Sequence, residues 1–316
     1  MDAGVVSGFS GMESWSRNRL VFWVLNLPGT VWLTAFFLVP LGIIWVLSFG
    51  EKTSIVDIAI TWTLDNYARA LQPIYLEIVW KSVWISAVAT LVCLVVAYPV
   101  SFLISFAPGR WKALLLLAVI LPFWINMLIR TYALIAVFRR RGFVNFGLEW
   151  LWEKANAGLV LLGLGQYHLI GQDFEPLPLL YNNFAVIAGL VYVYMPFMVL
   201  PLYATVERLD KSYLEASLDL GASQTRTFFS VTVPMTMPGV VSGIILVFIP
   251  CLGTFLTPDL LGGTNAQMIG NVIERQFKSA NDWPFGAALS FLLMYATFGA
   301  LALRALFAGR QRGMEV

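Results

Sequence analysis

The sequence predicts an all-α integral membrane protein with about six transmembrane helices. Of its 316 residues, 59% are hydrophobic and only 12% are charged, whereas soluble domains carry roughly 25% charged residues. The mean hydropathy is +0.77. A helix needs about 20 apolar residues to cross a bilayer core of about 30 Å. The stretches that are apolar and long enough are residues 28–49, 79–106, 111–138, 184–205, 235–256 and 284–307.

The chain accordingly divides into an N-terminal segment (1–27), one transmembrane domain (28–308) and a C-terminal tail (309–316). Aromatic residues flank Arg17 and Arg19 in Trp15–Asn26, which predicts a helix lying on the inner membrane surface. The first apolar run, Leu20–Leu27, is short and leads almost directly into the first span. No cleavable signal peptide is therefore expected.

Helix breakers interrupt several predicted spans. A proline in a transmembrane helix frees a carbonyl and permits a kink, which transporters use where helices part and reclose. Prolines are also common in transmembrane helices that do not move, so a structural role is the alternative. The prolines inside the spans are Pro99, Pro122, Pro196, Pro201 and Pro250.

Motifs for enzyme chemistry are missing from the sequence. No G-x-x-x-x-G-K-[ST] loop occurs, so the chain is not expected to bind ATP by itself. His168 is the single histidine and has no Cys-His cluster near it, so it is not expected to bind a metal. Cys93 and Cys251 lie apart inside predicted spans, as expected of packing residues. Glycine-rich residues 158–171 are predicted to form a flexible loop, with Glu149 and the other acids of that region as a solvated rim. The sequence therefore predicts no catalytic residue, no metal and no cofactor on this chain.

A short polar segment, residues 207–234, stands between two apolar spans and is predicted to dock on a partner. Ser212 and Glu215 have the spacing of a capping box, which starts a helix. Gly221 is placed to end that helix in a left-handed turn, and Ser223 to cap a second one. Leu214 and Leu218 are four residues apart on one face, which suits insertion into a groove.

The same segment resembles the EAA loop of ABC-importer permeases, which reads Glu-Ala-Ala, three residues, Gly, nine residues, Ile-x-Leu-Pro. The matching residues are Glu215-Ala216-Ser217, Gly221 and Val231-Thr232-Val233-Pro234, with Ser217, Val231 and Val233 as conservative departures. The resemblance implies the type I ABC-importer permease fold. It also implies that a cytoplasmic coupling helix fits into a cleft of an ATPase, which binds ATP and Mg. The residues assigned to this coupling are Ser212, Leu214, Glu215, Ala216, Leu218 and Gly221.

Polar residues at membrane depth are the candidates for a substrate path, because burying charge there is costly and usually functional. An interfacial position is the alternative for each of them. Asn126 and Arg130 lie in the third span, and Asp259 closes the fifth. The full candidate set is Trp124, Asn126, Arg130, Tyr132, Asp259, Glu274, Asp282 and Trp283.

Several segments between Leu121 and Ala288 resemble the permease subunits of bacterial spermidine/putrescine importers. They include Leu121–Tyr132, Pro196–Tyr203, Pro258–Gly263, Ile269–Ile273 and Asp282–Gly286, and the first of the two permease subunits matches best. The resemblance implies a polyamine cargo, a second permease subunit, two ATPase subunits and a periplasmic binding protein. No nucleic acid partner is expected.

The candidate residues suit a polycation, because carboxylates and aromatic faces both bind ammonium groups. Asp259, Glu274 and Asp282 supply carboxylates. Arg130 fits this role poorly, and we hypothesise that it pairs with one of these acids until the cation enters. Another small solute remains an alternative cargo, whether a metal ion, an oxyanion, an amino-acid-like compound or an opine. A stand-alone secondary transporter or a membrane enzyme is the alternative from another class.

The distribution of Lys and Arg does not by itself decide the orientation. With the polar segment inside, ten of the 20 basic residues fall on each side, so the positive-inside rule gives no majority. Residues 139–141 are three consecutive arginines on the outer side, which opposes this orientation, whereas the short basic loop 107–110 favours it. The family resemblance implies the bacterial inner membrane, with both termini in the cytoplasm.

Overall fold

The computed structural model describes residues 19–54, 57–161 and 173–312, most of them in helices. The helices are α1 (Arg19–Leu33), α2 (Val39–Leu47), α3 (Asp65–Ala70), α4 (Pro73–Phe106), α5 (Gly109–Ile120), α6 (Met127–Phe138), α7 (Phe143–Leu161), α8 (Asn183–Glu207), α9 (Lys211–Asp219), α10 (Gln224–Thr227), α11 (Val233–Gly253), α12 (Leu256–Gly262), α13 (Ile269–Lys278) and α14 (Trp283–Arg312). π-helical turns Thr34–Leu38 and Phe228–Thr232 join α1 to α2 and α10 to α11, and a 3₁₀ turn, Leu121–Trp124, follows α5. Strands β1 (Gly50–Lys52) and β2 (Ile58–Ile60) pair antiparallel, with Gly50 opposite Ile60.

Five described helical stretches are long and apolar enough to cross a membrane, and a bent pair of helices raises the number to six. The single stretches are Phe22–Leu47, Pro73–Phe106, Asn183–Glu207, Gln224–Gly253 and Trp283–Ala302. The bent pair is Gly109–Trp124 with Met127–Leu159. The predicted all-α class with about six spans is confirmed.

The helix boundaries differ from the predicted ones because hydropathy marks the apolar residues, whereas a helix can continue into the polar residues that flank them. The first span begins before residue 28, since α1 already starts at Arg19; Trp15 and Arg17 of the predicted interfacial helix lie outside the described residues. At the other end, α14 continues to Arg312, beyond the predicted end at 307. The second span starts earlier too, at Pro73.

The third span is not the continuous helix that was predicted. Pro122 lies in the 3₁₀ turn that ends α5, and Ile125 adopts an extended conformation. Asn126 then caps α6 by accepting a hydrogen bond from the Leu128 amide at 2.8 Å. The two helical parts meet at 98°. Proline and a strong N-cap residue together stop one helix and start another.

Two further predictions, one about residues 143–161 and one about the fifth span, are wrong. Residues 143–161 form helix α7 rather than a loop, and Gly158 lies inside it; His168 and residues 162–172 are outside the described part. The fifth span ends at Gly253, because Thr254 is extended, and Asp259 therefore lies on the separate helix α12.

The described helices form two compact units. The first contains the described part of residues 1–71 together with 276–312, and the second contains residues 72–275. In the first unit α14 packs on α2 and α3. Trp45 donates to the Tyr295 hydroxyl at 2.8 Å and fixes α2 to α14.

The core of the second unit is formed by α4, α8 and α11. Small side chains recur every four residues along α4, at Ala89, Cys93, Ala97 and Ser101, and all are fully buried. This spacing lines up one helix face. Small residues let helix backbones approach closely, which is how transmembrane helices gain packing contacts without a hydrophobic driving force.

Candidate functional site

The N-cap of helix α9 in the polar segment is Asp210, not Ser212 as the capping-box prediction required. The Asp210 side chain accepts a hydrogen bond from the Ser212 amide at 3.0 Å, and this bond lowers the pKa of the Asp210 carboxyl. Glu215 is exposed on the helix. Asp is as good an N-cap as Ser, so the sequence contained the signal two residues earlier.

The helix, glycine bend and second helix occur as predicted. Gly221 has a φ of +83°, a left-handed conformation that glycine adopts without steric cost. Ser223 then caps α10 by accepting from the Arg226 amide at 3.3 Å. The Ser217 and Thr227 hydroxyls lie 2.9 Å apart and join the two helices across the bend. Ser217, which departs from the family signature, thus has a role in shaping the segment.

Helix α4 holds this segment in place. Phe228 packs edge-on against Tyr98, with ring centroids 5.2 Å apart, and also contacts Phe102. Lys211 lies over the Phe106 ring at 5.0 Å. The position of α9 is therefore tied to the end of a long transmembrane helix.

A second attachment is an ion pair at the start of the segment. Lys112 of α5 contacts Glu207, the last residue of α8, at 2.6 Å. Both side chains are partly exposed, so the pair orients the loop more than it stabilises the fold.

The outer face of the segment carries exposed apolar side chains. Leu218, which was predicted to insert into a partner, is 43% exposed, whereas Leu214 is half-buried. Ala216 is exposed as well. Sequence reasoning missed Tyr213, at 54%, and Leu220, at 89% exposed. Large apolar side chains left uncovered on an ordered helix are typical of a surface that contacts a protein or the membrane.

The predicted substrate-path residues of the third span lie around its break. Trp124 ends the 3₁₀ turn and is 77% exposed, and Tyr132 of α6 is 57% exposed. Asn126 is the N-cap of α6, so its carbonyl oxygen is already bound to the helix. The two aromatic rings are therefore available for contact with a ligand, while Asn126 has a structural role as well.

Arg130 does not pair with an acid as hypothesised. The side chain is only 7% exposed, and its Nε and Nη1 atoms are buried without a hydrogen-bond partner. Neither of the ion pairs among the described residues includes it. Arg130 lies on α6, which packs against α8 and α12.

Asp259 and Glu274 belong to neighbouring short helices. Asp259 is exposed on α12, and Glu274 is half-buried on α13. The extended turn between α11 and α12 is fixed by Asn271, whose amide donates to the Phe255 carbonyl at 2.8 Å. Because α6 packs on α12, the structure makes neighbours of the helices that carry Tyr132 and Asp259.

Asp282 and Trp283 belong to the first unit and are held by local contacts. Asp282 pairs with Arg69 at 2.8 Å and accepts from the Phe285 amide at 3.3 Å, so it caps α14. Trp283 donates to the Asn281 side chain at 2.9 Å. The Asp282 carboxylate is therefore already bound within the fold.

The fold is that of ABC-importer permeases. One solved structure, of a bacterial ABC transporter involved in the import of the acidic polysaccharide alginate, superposes with a TM-score of 0.70 at 15% identity, covering 95% of this chain and 98% of that chain. The alginate transporter in complex with an alginate pentasaccharide-bound periplasmic protein gives a TM-score of 0.69 at 14% identity, covering 92% and 94%.

Residues 4–312 match the family described as binding-protein-dependent transport system inner membrane component, and the chain belongs to that family. The chain is 40% identical over 262 residues to the spermidine/putrescine transport system permease protein PotB of Escherichia coli K12, covering 83% of this chain and 88% of that protein. PotB of Haemophilus influenzae is 38% identical over 82% of this chain and 84% of its own length.

Proposed function

We propose that this chain forms half of the translocation path of an ATP-driven importer for polyamines of the spermidine and putrescine class. A second, similar permease subunit completes the path, two ATPase subunits bind ATP and Mg, and a periplasmic binding protein delivers the cargo. The chain itself hydrolyses nothing. It lies in the bacterial inner membrane with both termini in the cytoplasm.

The observation that supports the cargo is the 38–41% identity to permeases named for spermidine and putrescine over more than four fifths of the chain. The alginate transporters share the fold at only 14–15% identity. A sequence identity this low shows a shared fold and says nothing about the cargo.

The polar segment 207–234, which we infer to be the coupling segment, supports the proposed ATPase partner. Leu218 is exposed on α9, and Leu220 is exposed directly after it. The start of α9 is capped by Asp210, and its end is fixed by Gly221 and the Ser217–Thr227 hydrogen bond. A pre-formed helix loses little conformational entropy on docking. Movement of an ATPase bound there reaches α4 through the aromatic contacts of Phe228.

For the cargo we propose that Asp259 supplies the main carboxylate and that Trp124 and Tyr132 supply aromatic faces. Asp259 is exposed and has no ion pair within the described part of the chain. Glu274 and Trp283 are secondary candidates. Asp282 contributes through its structural pair with Arg69, and Asn126 by shaping the break.

The test is the ATPase activity of the purified complex in lipid, with its binding protein, titrated with spermidine, putrescine and a panel of oxyanions. Stimulation by polyamines alone is the expected result. Stimulation by another solute would support the permease function but reject polyamines as the cargo. A preparation in which no ATPase copurifies would reject the proposed ATPase partner.

Asp259→Asn tests the carboxylate directly. Loss of a charged hydrogen-bonding partner is expected to raise the spermidine KM about tenfold, measured as uptake into proteoliposomes. Glu175→Gln, an exposed acid in the loop before α8, is the matched control and should leave the KM unchanged. Normal kinetics for Asp259→Asn would remove this residue from the path.

A further inference from the structure

The three arginines at positions 139–141 lie in a turn whose geometry is fixed by a buried asparagine. The Gly142 amide donates to the Arg139 carbonyl at 2.7 Å and closes the turn between α6 and α7. Asn145 is 2% exposed and binds both the amide and the carbonyl of Leu177, at 2.9 and 3.0 Å. The turn is therefore a rigid part of the second unit.

Two of the three arginines line one pocket. It has a volume of about 340 Å³, and its lining residues are Ala136, Arg139, Arg141, Gly142, Phe143 and Phe146. Arg140, between them in sequence, is not among these residues. Arg139 and Arg141 are both exposed, and neither forms an ion pair with any residue that the structure describes. The pocket is thus lined by two arginines that have no ion-pair partner among the described residues.

Two of the lining residues, Phe143 and Phe146, belong to an apolar stripe along α7. Phe143 is 74%, Phe146 is 70% and Trp150 is 52% exposed. Positions i, i+3 and i+7 lie on one face of a helix. Helix α7 therefore presents an uncovered aromatic face that starts at the arginine turn, which is the pattern of a helix at a membrane interface.

We propose that this pocket binds an anionic phospholipid, with its phosphate between Arg139 and Arg141 and its acyl chains along Phe143 and Phe146. Guanidinium groups bind phosphate oxygens in pairs of parallel hydrogen bonds. Basic pockets between transmembrane helices bind acidic lipid headgroups on the cytoplasmic side of membranes, and we apply the same chemistry to this pocket. The site needs both a charged and an apolar part in its ligand, and a phospholipid has both.

The proposal also explains why three arginines are compatible with the outer face of the membrane. The positive-inside rule concerns the translocation of charged loops, whereas lipid phosphates are present on both faces. A lipid bound at the turn would hold the α6–α7 junction against the bilayer. This inference does not depend on the cargo, because none of the pocket residues belongs to the proposed substrate path.

The experiment is a titration of the full chain in detergent with phosphatidylglycerol, followed by native mass spectrometry. The double variant Arg139→Gln/Arg141→Gln is expected to bind phosphatidylglycerol about 25-fold more weakly, from about fivefold for each basic residue. Arg140→Gln is the matched control, with the same loss of charge outside the pocket, and should change the affinity less than about twofold. Phosphatidylcholine should show no dependence on these arginines.

A second pair of variants distinguishes a lipid from free phosphate. The variant Phe143→Ser/Phe146→Ser should bind phosphatidylglycerol more weakly. Inorganic phosphate should still compete with the lipid for the arginines as well as it does in wild type. Arg139→Lys/Arg141→Lys keeps the charge and should bind between wild type and the glutamine variant, which controls for folding. The proposal is overturned if Arg140→Gln weakens lipid binding as much as Arg139→Gln/Arg141→Gln does, or if replacing both phenylalanines has no effect. It is also overturned if Arg139→Gln/Arg141→Gln binds lipid normally, which is the result expected of a surface for an acidic protein.

Discussion

Arg130 and Thr257 are buried polar residues whose side chains lack hydrogen-bond partners in the described structure. They lie on α6 and α12, two helices that pack on each other. A buried polar group without a partner lowers stability by about 1–3 kcal/mol, and an unpaired charge is costlier. Such positions persist where function requires them, so Arg130 remains a transport candidate even though it pairs with no acid.

Thr257→Val is expected to stabilise the protein. The Thr257 side chain is fully buried and its hydroxyl is unpaired, so replacing the hydroxyl with a methyl group removes a cost of about 1 kcal/mol. The matched control is Thr131→Val, since Thr131 is equally buried but donates to the Met127 carbonyl at 2.9 Å. Thermal unfolding in detergent should show a rise of about 2 °C for the first variant and a fall for the second. A loss of stability in both variants would mean that the Thr257 hydroxyl has a partner.

Asp210 makes the start of α9 sensitive to pH. Its pKa is lowered because the carboxylate accepts the Ser212 amide hydrogen bond. Because the pKa is lower in the folded state, the ionised carboxylate stabilises the fold at pH values above the pKa of the unfolded chain, about 3.9 for Asp. This stabilisation is lost as the pH falls through the pKa of the folded state. Hydrogen exchange at the Ser212 amide should be faster in Asp210→Ala than in wild type at pH values where the Asp210 carboxylate is ionised, and the difference should shrink as the pH falls through the folded pKa. In Asp210→Asn, which keeps the acceptor without the charge, protection should persist and lose its pH dependence; unchanged exchange in Asp210→Ala would contradict this role.

At the scale of elements, hydropathy predicted the spans and left their interruptions unresolved. Residues 111–138 are mostly apolar, with Lys112, Asn126, Arg130 and Thr131 as scattered polar residues, so a window average detects no break where Ile125 becomes extended. The break depends on Pro122 and on the Asn126 cap, which are local signals. Helix α7 was missed because its exposed charges and Gly158 resemble a loop, while its attachment through Asn145 to Leu177 is a long-range contact.

The polar segment 207–234 was more predictable, because caps and glycine turns are encoded within a few residues. Gly221 and Ser223 have the predicted roles. The choice of Asp210 over Ser212 as the cap could not be made from propensity, since both residue types are equally favoured. The exposed apolar face depends on which side of α9 packs on the protein, and this is a tertiary property.

Close packing of α8 and α11 requires a glycine at position 239. A Cβ atom there would collide with the Thr205 hydroxyl and would lie 2.7 Å from the Pro201 carbonyl oxygen. Gly239→Ala should therefore force the helices apart and destabilise the protein by about 1–3 kcal/mol. Gly299→Ala is the control, because nothing lies within 4 Å of a Cβ at that position on α14. Thermal unfolding should show a gain for Gly299→Ala; equal effects of the two variants would mean that α8 and α11 tolerate the wider spacing.

At the scale of the whole molecule, the proposed function implies an orientation that the distribution of charge does not give. If the proposed ATPase binds residues 207–234, that segment faces the cytoplasm and the arginine turn at 139–141 lies outside. The proposed lipid site removes the conflict with the positive-inside rule, because it gives those arginines phosphate counterions. Sidedness and lipid binding can therefore be examined separately.

Single cysteines can report the orientation, because the two native cysteines, Cys93 and Cys251, are fully buried and should not react. Asp219→Cys places a thiol at the exposed end of α9, and Glu175→Cys places one in the exposed loop before α8. A membrane-impermeant maleimide should label Glu175→Cys in intact spheroplasts and Asp219→Cys in inside-out vesicles, with unmodified protein as the blank. The opposite pattern would put the coupling segment outside the cell, where no ATP is available, and would reject the proposed ATPase partner together with the orientation.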